Sequence, residues 1–247
     1  MIQLLHGDCL ELMKSIPDKS IDAIITDPPY GTTACKWDSV IPFDLMWEQL
    51  NRIIKHNGAI VLFGSEPFSS ALRISNIKNY KYDWIWEKER PTNFLSGKKT
   101  PLKYHELIHL FGGGNYYPQY TIKKQQNKRN NNPREITNEV WNIETNKYDN
   151  RTVSGGIKDW KYPSAIIKCN MQRGLHPTQK PIKLMEYLIK TYTNENETVL
   201  DFTMGSGTTG VACKNLNRKF IGIEMDDKYF NIAQNRINNH IVTKQLF

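Results

Sequence analysis

The chain has 247 residues, of which 39% are apolar, enough for one large α/β domain with an insertion. Lysine and arginine total 33 against 25 acids, and the net charge of +8 favours a polyanionic partner. Cys9, Cys35, Cys169 and Cys213 show no Cys-x-x-Cys spacing, so neither a zinc site nor a disulfide framework is indicated. No apolar run reaches membrane-spanning length and no export signal is recognisable, so we expect a soluble, cytoplasmic protein.

The first 112 residues alternate between short apolar runs and stretches with helical spacing. Apolar residues recur at helical spacing from Met46 to Ile54 and stop at Asn57-Gly58, which predicts a helix that ends there. Strands joined by helices in this way are typical of an α/β sheet. The same patterns predict strands over residues 2–5, 21–25, 59–63, 82–86 and 107–111, helices over residues 9–14 and from Pro67, and a basic loop over residues 90–103.

The composition changes sharply after Gly112. From there to Asn170 the chain has ten asparagines and seven aromatic residues, with little periodicity beyond a helix predicted over residues 133–142. Residues 115–170 contain ten lysines or arginines and five acids, so they hold +5 of the net charge of +8. A disordered polar linker is one interpretation, but the aromatic content favours an ordered insertion.

The last third of the chain places a glycine-rich turn between a strand and a helix. Gly205, Gly207 and Gly210 follow a predicted strand, and Glu224 follows the next one. Glycines in this position let a ligand approach the backbone, and an acid after the next strand can bind ribose hydroxyls. The pattern predicts a ligand that contains adenosine and leaves NAD and S-adenosylmethionine both open. The flanking elements are strands over residues 198–200 and 220–223 and helices through Leu188 and Ala233.

A second unusual stretch, Asp27-Pro28-Pro29-Tyr30, follows the strand predicted from Ile21. Neither proline can continue that strand, because each lacks a backbone N–H donor and has a fixed φ. The Asp27 carboxylate and two rigid backbone carbonyls therefore lie next to Tyr30, whose ring can stack on a flat ring. Such a cluster suits an aromatic amino group, whereas the alternative is a tight Asp-Pro turn with Tyr30 capping the core.

Five polar residues each follow the end of a predicted parallel strand. They are Asp8, Asp27, Ser65, Asp201 and Glu224. Because open α/β sheets bind their ligands beyond the carboxyl ends of the strands, one cleft can collect all five.

With the Asp-Pro-Pro-Tyr half first and the glycine-rich half last, the chain resembles the β-class amino-methyltransferases of DNA. The resemblance covers essentially the whole chain outside the insertion. It implies the Rossmann-like α/β sheet of S-adenosylmethionine-dependent methyltransferases, circularly permuted. In that arrangement residues 1–112 form the catalytic half, residues 113–170 an inserted target-recognition region and residues 171–247 the cofactor-binding half.

The resemblance also implies roles for individual residues. Asp8 matches an acid that contacts the adenine of the cofactor, and residues 176–181 match a segment beside its methionine end. The family usually has Pro-Phe where this chain has Phe202-Thr203. The implied catalytic residues are Asp27, Pro28, Pro29 and Tyr30, and the implied cofactor-binding residues are Asp8, Cys9, Asp27, His176, Pro177, Thr178, Lys180, Asp201, Phe202, Thr203, Gly205, Ser206, Gly207 and Glu224.

The implied reaction transfers a methyl group from S-adenosylmethionine to the N6 amine of an adenine flipped out of duplex DNA. The first alternative is N4-cytosine methylation, whose enzymes typically carry serine where Asp27 stands. A catalytically silent DNA-binding relative is a second. Methyltransferases of RNA or protein amides commonly have asparagine there, and nothing in the sequence indicates the hydride-transfer site of an NAD dehydrogenase.

Double-stranded DNA is the expected partner, a homodimer is left open, and neither a membrane nor a metal is expected. The expected setting is restriction-modification in the cytoplasm of a bacterium, in association with the nucleoid, with the protein encoded by a bacterial or phage gene. Lysine and arginine can hold phosphates while asparagine can bond adenine edges, so the insertion is the predicted DNA reader. His105-Glu106 either flanks the active site or is an exposed polar pair. The predicted DNA-binding residues are Lys123, Lys124, Lys128 and Arg129, with the loop at residues 88–103 as a second candidate.

Overall fold

The computed structural model of the chain describes residues 1–32, 38–122, 160–172 and 174–242. Its strands are β1 (Ile2–His6), β2 (Ile21–Thr26), β3 (Ile54–Gly64), β4 (Tyr80–Glu87), β5 (His105–Gly112), β6 (Thr121–Ile122), β7 (Trp160–Lys161), β8 (Ile166–Lys168), β9 (Thr198–Asp201) and β10 (Lys219–Glu224). Its helices are α1 (Cys9–Met13), α2 (Phe43–Ile53), α3 (Phe68–Ser75), α4 (Ile182–Tyr192), α5 (Thr208–Asn215) and α6 (Asp227–Asn238), with a 3₁₀ turn at Phe94–Ser96. Within these ranges, no helix combines the length and the apolarity needed to cross a bilayer.

The strands β1, β10, β9, β2, β3, β5, β4 and β8 lie side by side in this order in one sheet. The first five run parallel, whereas β5 is antiparallel to both β3 and β4. Strand β9, from the last third of the chain, pairs with β2, from the first, so both halves share the sheet. The five parallel strands end at a common edge, as the predicted cleft requires.

The central strand β2 is buried along its whole length, as a continuous apolar run predicts for a central parallel strand. Ala23 and Ile25 face a core formed with α4, α5 and α6, whereas Ile24 faces a second core formed with α1, α2 and α3. Because successive side chains of a strand point to opposite faces, one short run anchors helices on both sides. This layered arrangement is the predicted α/β class.

The helix predicted to end at Asn57-Gly58 ends at Ile53 instead, so that prediction is wrong. Ile54 is already extended, with ψ of 138°, and pairs with Ile21 of β2. Its spacing fits the helix, but apolar periodicity cannot distinguish the last residue of a helix from the first of a buried strand. The pairing with β2 decides the boundary.

A separate compact unit comprises Tyr120–Pro163. Its described residues include the antiparallel pair β6 and β7, and the rings of Tyr120 and Tyr162 lie 5.2 Å apart. The helix predicted over residues 133–142 lies outside the described residues. The main unit, Met1–Gln119 with Ser164–Phe247, carries the eight-stranded sheet. The roles assigned to residues 1–112, 113–170 and 171–247 stay predictions.

Candidate active site

A cavity of about 460 Å³ lies at the carboxyl ends of β1, β10, β9 and β2. Four of the five residues predicted to share one cleft line this cavity, namely Asp8, Asp27, Asp201 and Glu224. Ser65 is not in its wall and instead accepts a hydrogen bond from Lys103. All predicted catalytic and cofactor-binding residues line the cavity except Pro177 and Gly207.

Asp201 joins the two halves of the chain at the wall of the cavity. Its carboxylate accepts hydrogen bonds from the hydroxyls of Thr26 at 2.6 Å and Thr209 at 2.5 Å, and from the backbone N–H of Thr203 at 3.2 Å. Burial raises the pKa of Asp201 from 3.8 to about 6, although the three donors act in the opposite direction. Asp201 therefore ties β2 and α5 to the end of β9.

Thr203 stands where the family usually has phenylalanine. Its hydroxyl donates a 3.1 Å hydrogen bond to the backbone carbonyl of Asp27 and lies 2.7 Å from the hydroxyl of Thr26. Phenylalanine has no polar atom for such a bond. The departure from the family pattern thus fixes the backbone of the Asp27 loop.

Both oxygens of the Asp27 carboxylate have partners. The Tyr30 hydroxyl donates to one oxygen at 2.5 Å, and the Lys180 ammonium donates to the other. Burial raises the pKa of Asp27 and outweighs the opposing charge of Lys180, while Glu106 acts in the same direction as burial. Burial alone would lower the pKa of Lys180, but Asp27 and Glu106 raise it, so Lys180 keeps its charge.

A row of alternating charges extends from Asp27 into the protein. Lys180 lies 3.5 Å from the Glu106 carboxylate, and Glu106 forms a second ion pair with Lys88. Lys180 and Lys88 are only 7% and 5% exposed, so each ion depends on its neighbours rather than on water. The sequence alone allows two interpretations of Glu106 and does not indicate that it pairs with either lysine. The structure places it beside Lys180, at the active-site end of β5.

Asp38 shapes the backbone after Tyr30 and was not predicted. One of its carboxylate oxygens accepts the N–H groups of Tyr30 at 2.8 Å and Gly31 at 2.9 Å, and the other accepts that of Thr32 at 2.9 Å. Gly31 has a φ of +68°, where a side chain would be strained. The turn holds the Tyr30 ring 4.9 Å from that of Phe68. An acid eight residues after the motif gives no local signal of this role.

Glu224 and the glycine loop are bonded to each other. The Glu224 carboxylate accepts the backbone N–H groups of Gly205 at 2.8 Å, Met225 at 3.0 Å and Asp226 at 2.9 Å. Burial raises the pKa of Glu224, and the three backbone donors only partly offset this effect. Gly205 has a φ of +52°, and a Cβ there would point towards the His176 ring at 3.8 Å. The contact would be an ordinary one, so it is the positive φ, which strains other side chains, that favours glycine at 205.

The other two fingerprint glycines serve helix packing. A Cβ on Gly207 would lie 3.0 Å from the Cβ of Ala233, and one on Gly210 would lie 2.4 Å from Ile237. Glycine at both positions lets α5 approach α6 closely. Of the three fingerprint glycines, Gly205 is the one that lines the cavity.

His176 lines the cavity as a neutral ring. Burial lowers its pKa to about 4, and the charge of Lys180 adds to this effect. Its Nδ1 accepts the Thr178 N–H at 3.2 Å, and its ring lies 4.1 Å from that of Tyr229. The segment predicted to lie beside the cofactor therefore reaches the cavity next to Gly205.

The polar groups of the cavity fit a ligand that contains adenosine. The carboxylates of Asp8 and Glu224 lie at the β1 and β10 end, where they can accept hydrogen bonds from ribose hydroxyls or an adenine amine. Burial, with the neighbouring Asp8 charge, raises the pKa of Cys9 to about 12, so its thiol is neutral. Asp27 lies at the β2 end of the same cavity. The cavity thus has hydrogen-bond acceptors for an adenosine at one end and, at the other end, acceptors for the amine of a second molecule.

The four predicted DNA-binding residues, Lys123, Lys124, Lys128 and Arg129, lie outside the described residues. Their assignment to phosphate binding stays a prediction.

Comparison with known protein families identifies the class to which the chain belongs. A family model described as DNA methylase matches residues 21–235, and the chain belongs to this family. The predicted family is therefore confirmed.

Two bacterial proteins similar to this chain are Type II methyltransferases. Type II methyltransferase M.HpaI of Haemophilus parainfluenzae is 29% identical over 261 residues, covering 96% of this chain and 74% of that protein. Type II methyltransferase M.HinfI of Haemophilus influenzae is 29% identical over 268 residues, covering 95% of this chain and 67% of that protein.

Solved structures share the fold. The M1.HpyAVI–SAM complex is 30% identical with a TM-score of 0.63, covering 96% of this chain and all of that one. The PvuII DNA methyltransferase, described as cytosine-N4-specific, has a TM-score of 0.66 at 18% identity, covering 97% of this chain and 88% of that one. Together they confirm the predicted methyltransferase fold class.

Proposed function

We propose that this DNA methylase transfers the methyl group of S-adenosylmethionine to the N6 amine of an adenine flipped out of duplex DNA. The observation that supports this most directly is the Asp27 carboxylate at the end of β2, beside Tyr30, in the same cavity as Gly205 and Glu224. One end of the cavity fits the cofactor and the other presents acceptors for an amine.

The residues that would hold the cofactor are those around the glycine loop. Glu224 and Asp8 would accept hydrogen bonds from the ribose and the adenine, while Gly205 and His176 would border the methionine part. When bound, S-adenosylmethionine supplies an electrophilic methyl group on a sulfonium. The M1.HpyAVI–SAM complex, at 30% identity, supports this choice of cofactor over NAD.

The Asp27 loop would activate the amine. An exocyclic adenine amine is a poor nucleophile because its lone pair is delocalised into the ring. The Asp27 carboxylate and the Pro28 carbonyl would each accept one N6 hydrogen, directing the lone pair towards the methyl group. Positioning and electrostatics then accelerate direct transfer, and no covalent enzyme intermediate is needed.

Tyr30 and Lys180 would prepare Asp27 for this role. A buried carboxylate tends to take up a proton, and a protonated Asp27 accepts hydrogen bonds poorly. Lys180 opposes protonation because its positive charge contacts the carboxylate.

Tyr30 would stack on the flipped base, whose extraction from the duplex costs roughly a few kcal/mol.

N4-cytosine methylation is the second candidate, because the PvuII enzyme, described as cytosine-N4-specific, has the same fold. Members of that group typically carry serine where this chain has Asp27, which favours adenine. The Type II relatives favour a restriction-modification setting. Cytoplasmic location, a homodimer and the absence of a metal stay predictions.

The test is nucleoside analysis of DNA incubated with the purified protein and S-adenosylmethionine. We expect N6-methyladenine from the wild type and none from Asp27→Ala. A product that is mainly N4-methylcytosine would overturn the adenine assignment. Sequencing the same DNA with single-base modification calling would then give the recognition sequence.

A further inference from the structure

The loop between β4 and β5 presents two large apolar side chains to solvent. Leu95 is 98% exposed and Phe94 is 74% exposed, side by side on the 3₁₀ turn at the tip. Burying such side chains is favourable by about 1.5 to 3 kcal/mol each, so an adjacent exposed pair marks a contact surface.

The same loop is strongly basic. From residue 90 to residue 104 it contains Arg90, Lys98, Lys99 and Lys103 and no acid. Lys98 and Lys99 follow the apolar pair after two intervening residues and are exposed. An apolar tip next to cations suits a partner with a negative backbone and flat apolar rings inside it, which is the chemistry of duplex DNA.

The loop is held in a defined shape. Asn93 accepts the Lys103 N–H at 2.6 Å and donates to the Pro101 carbonyl at 2.9 Å. At the base, the Lys88 N–H donates to the Tyr104 carbonyl at 2.7 Å. The tip is therefore presented on a fixed support.

Both ends of the loop are connected to the active site. Lys88 precedes it and is paired with Glu106, which follows it, and Glu106 reaches Asp27 through Lys180. Lys103 also bonds Ser65, at the carboxyl end of β3 next to β2. The loop thus rises from the same sheet edge as the Asp27 motif.

We propose that Phe94 and Leu95 form a wedge that enters the base stack of the DNA beside the target adenine, while Lys98 and Lys99 hold the adjoining phosphates. This rests on the proposed function, because a flipped base leaves a gap in the duplex. Apolar side chains inserted between base steps stabilise an opened duplex in other DNA-binding proteins. The wedge offsets part of the cost of flipping and acts on the DNA, without touching the reacting atoms.

The test compares methylation of two duplexes that carry the recognition sequence. In one the target adenine is paired with thymine, and in the other it lies opposite a mismatched base, so that opening is already easier. We expect the double variant Phe94→Ala/Leu95→Ala to lower the single-turnover rate about tenfold on the paired duplex and much less on the mismatched one. Lys98→Gln/Lys99→Gln should instead weaken binding to both duplexes equally.

Ile74→Ala is the matched control, because Ile74 is also 74% exposed but lies on α3, outside the loop. It should methylate both duplexes at the wild-type rate. Calorimetry with S-adenosylmethionine should give the same affinity for all variants, which shows that the cavity is intact.

Equal losses on the two duplexes, or no loss on the paired one, would overturn the wedge. The wedge would also be overturned if analytical ultracentrifugation showed the wild type as a dimer and the double variant as a monomer. The tip would then bind a second copy of the chain. A wild type that methylates no DNA would contradict the proposed function itself. An active wild type with unaffected loop variants would contradict only the wedge.

Discussion

The Lys180 ammonium donates a hydrogen bond to the Asp27 carboxylate, although 153 residues separate them in the chain. The same lysine contacts Glu106, so the state of Asp27 is linked to a row of buried charges that continues to Lys88. The first two predictions follow from this contact.

Replacing Asp27 should stop methyl transfer while sparing the cofactor. We expect Asp27→Ala to reduce the single-turnover rate by about 100-fold or more, because the main acceptor for the target amine is lost. Affinity for S-adenosylmethionine should stay within about a few-fold, as the carboxylate is engaged by Tyr30 and Lys180 rather than by the glycine loop. Asp27→Asn is the isosteric control and should be nearly as inactive. Near-normal turnover in either variant would refute the mechanism.

Neighbouring charges should move the acid limb of the pH–rate profile in opposite directions. Lys180→Gln removes a charge that lowers the pKa of Asp27, so its acid limb should shift to higher pH. Glu106→Gln removes a charge that raises this pKa, so its limb should shift to lower pH. Single-turnover rates measured across the acid range give both shifts.

Lys180→Arg is the control. Because it keeps the positive charge, the acid limb of its pH–rate profile should lie close to that of the wild type. Because Lys180 is buried, Lys180→Gln should also lower the free energy of unfolding by about 3 to 5 kcal/mol. Lower rates without opposite pH shifts would mean that the two residues only maintain the structure.

Asp201 should make stability fall as the pH rises. Its folded-state pKa of about 6 lies above the usual 3.8, so its stabilising contribution is complete below about pH 4 and is lost as the pH rises through about 6. Ionising it in the folded protein costs about 3 kcal/mol more than in the unfolded chain. Urea unfolding at a series of pH values should show this decline in the wild type. Asp201→Asn should show a smaller decline, because the raised pKa values of Asp27 and Glu224 remain, and parallel curves for the two proteins would contradict the prediction.

The acids at the β1 and β10 end should control cofactor affinity. We expect Glu224→Ala and Asp8→Ala to weaken S-adenosylmethionine binding by about 1 to 3 kcal/mol each, as measured by calorimetry. Glu224→Ala should have the larger effect, because it also releases the Gly205 N–H. Glu224→Gln keeps an acceptor for that N–H, so its affinity for S-adenosylmethionine should lie between those of the wild type and Glu224→Ala. Equal wild-type affinity for NAD and S-adenosylmethionine would reopen the dinucleotide alternative.

The basic run in the insertion should bind DNA without regard to sequence. Changing Lys123, Lys124, Lys128 and Arg129 together to Gln should weaken binding to all duplexes and reduce the salt slope by about one for each lost phosphate contact. Cofactor affinity should be unchanged. Wild-type affinity and salt slope in the quadruple variant would leave the loop at residues 88–103 as the main DNA contact.

The elements and the two motifs could be predicted from the sequence because both depend on local chemistry. The apolar run of β2 and the donor-free Pro28 and Pro29 define a strand and its end within a few residues. The glycine loop between β9 and α5 is recognisable in the same way, and these motifs sufficed for the family.

The tertiary structure decided which of these residues meet. Lys88 and Glu106 flank one loop, whereas Asp27 and Lys180 come from two distant segments, and only the tertiary structure brings the four charges into one row. The Asp38 carboxylate accepts hydrogen bonds from three backbone N–H groups of the turn after Tyr30. Gly207 packs against α6 rather than lining the cavity. Neither role could be predicted, because each depends on a neighbour that local periodicity does not specify. Ile54 belongs to β3 for the same reason, since its strand partner Ile21 lies more than thirty residues earlier in the chain.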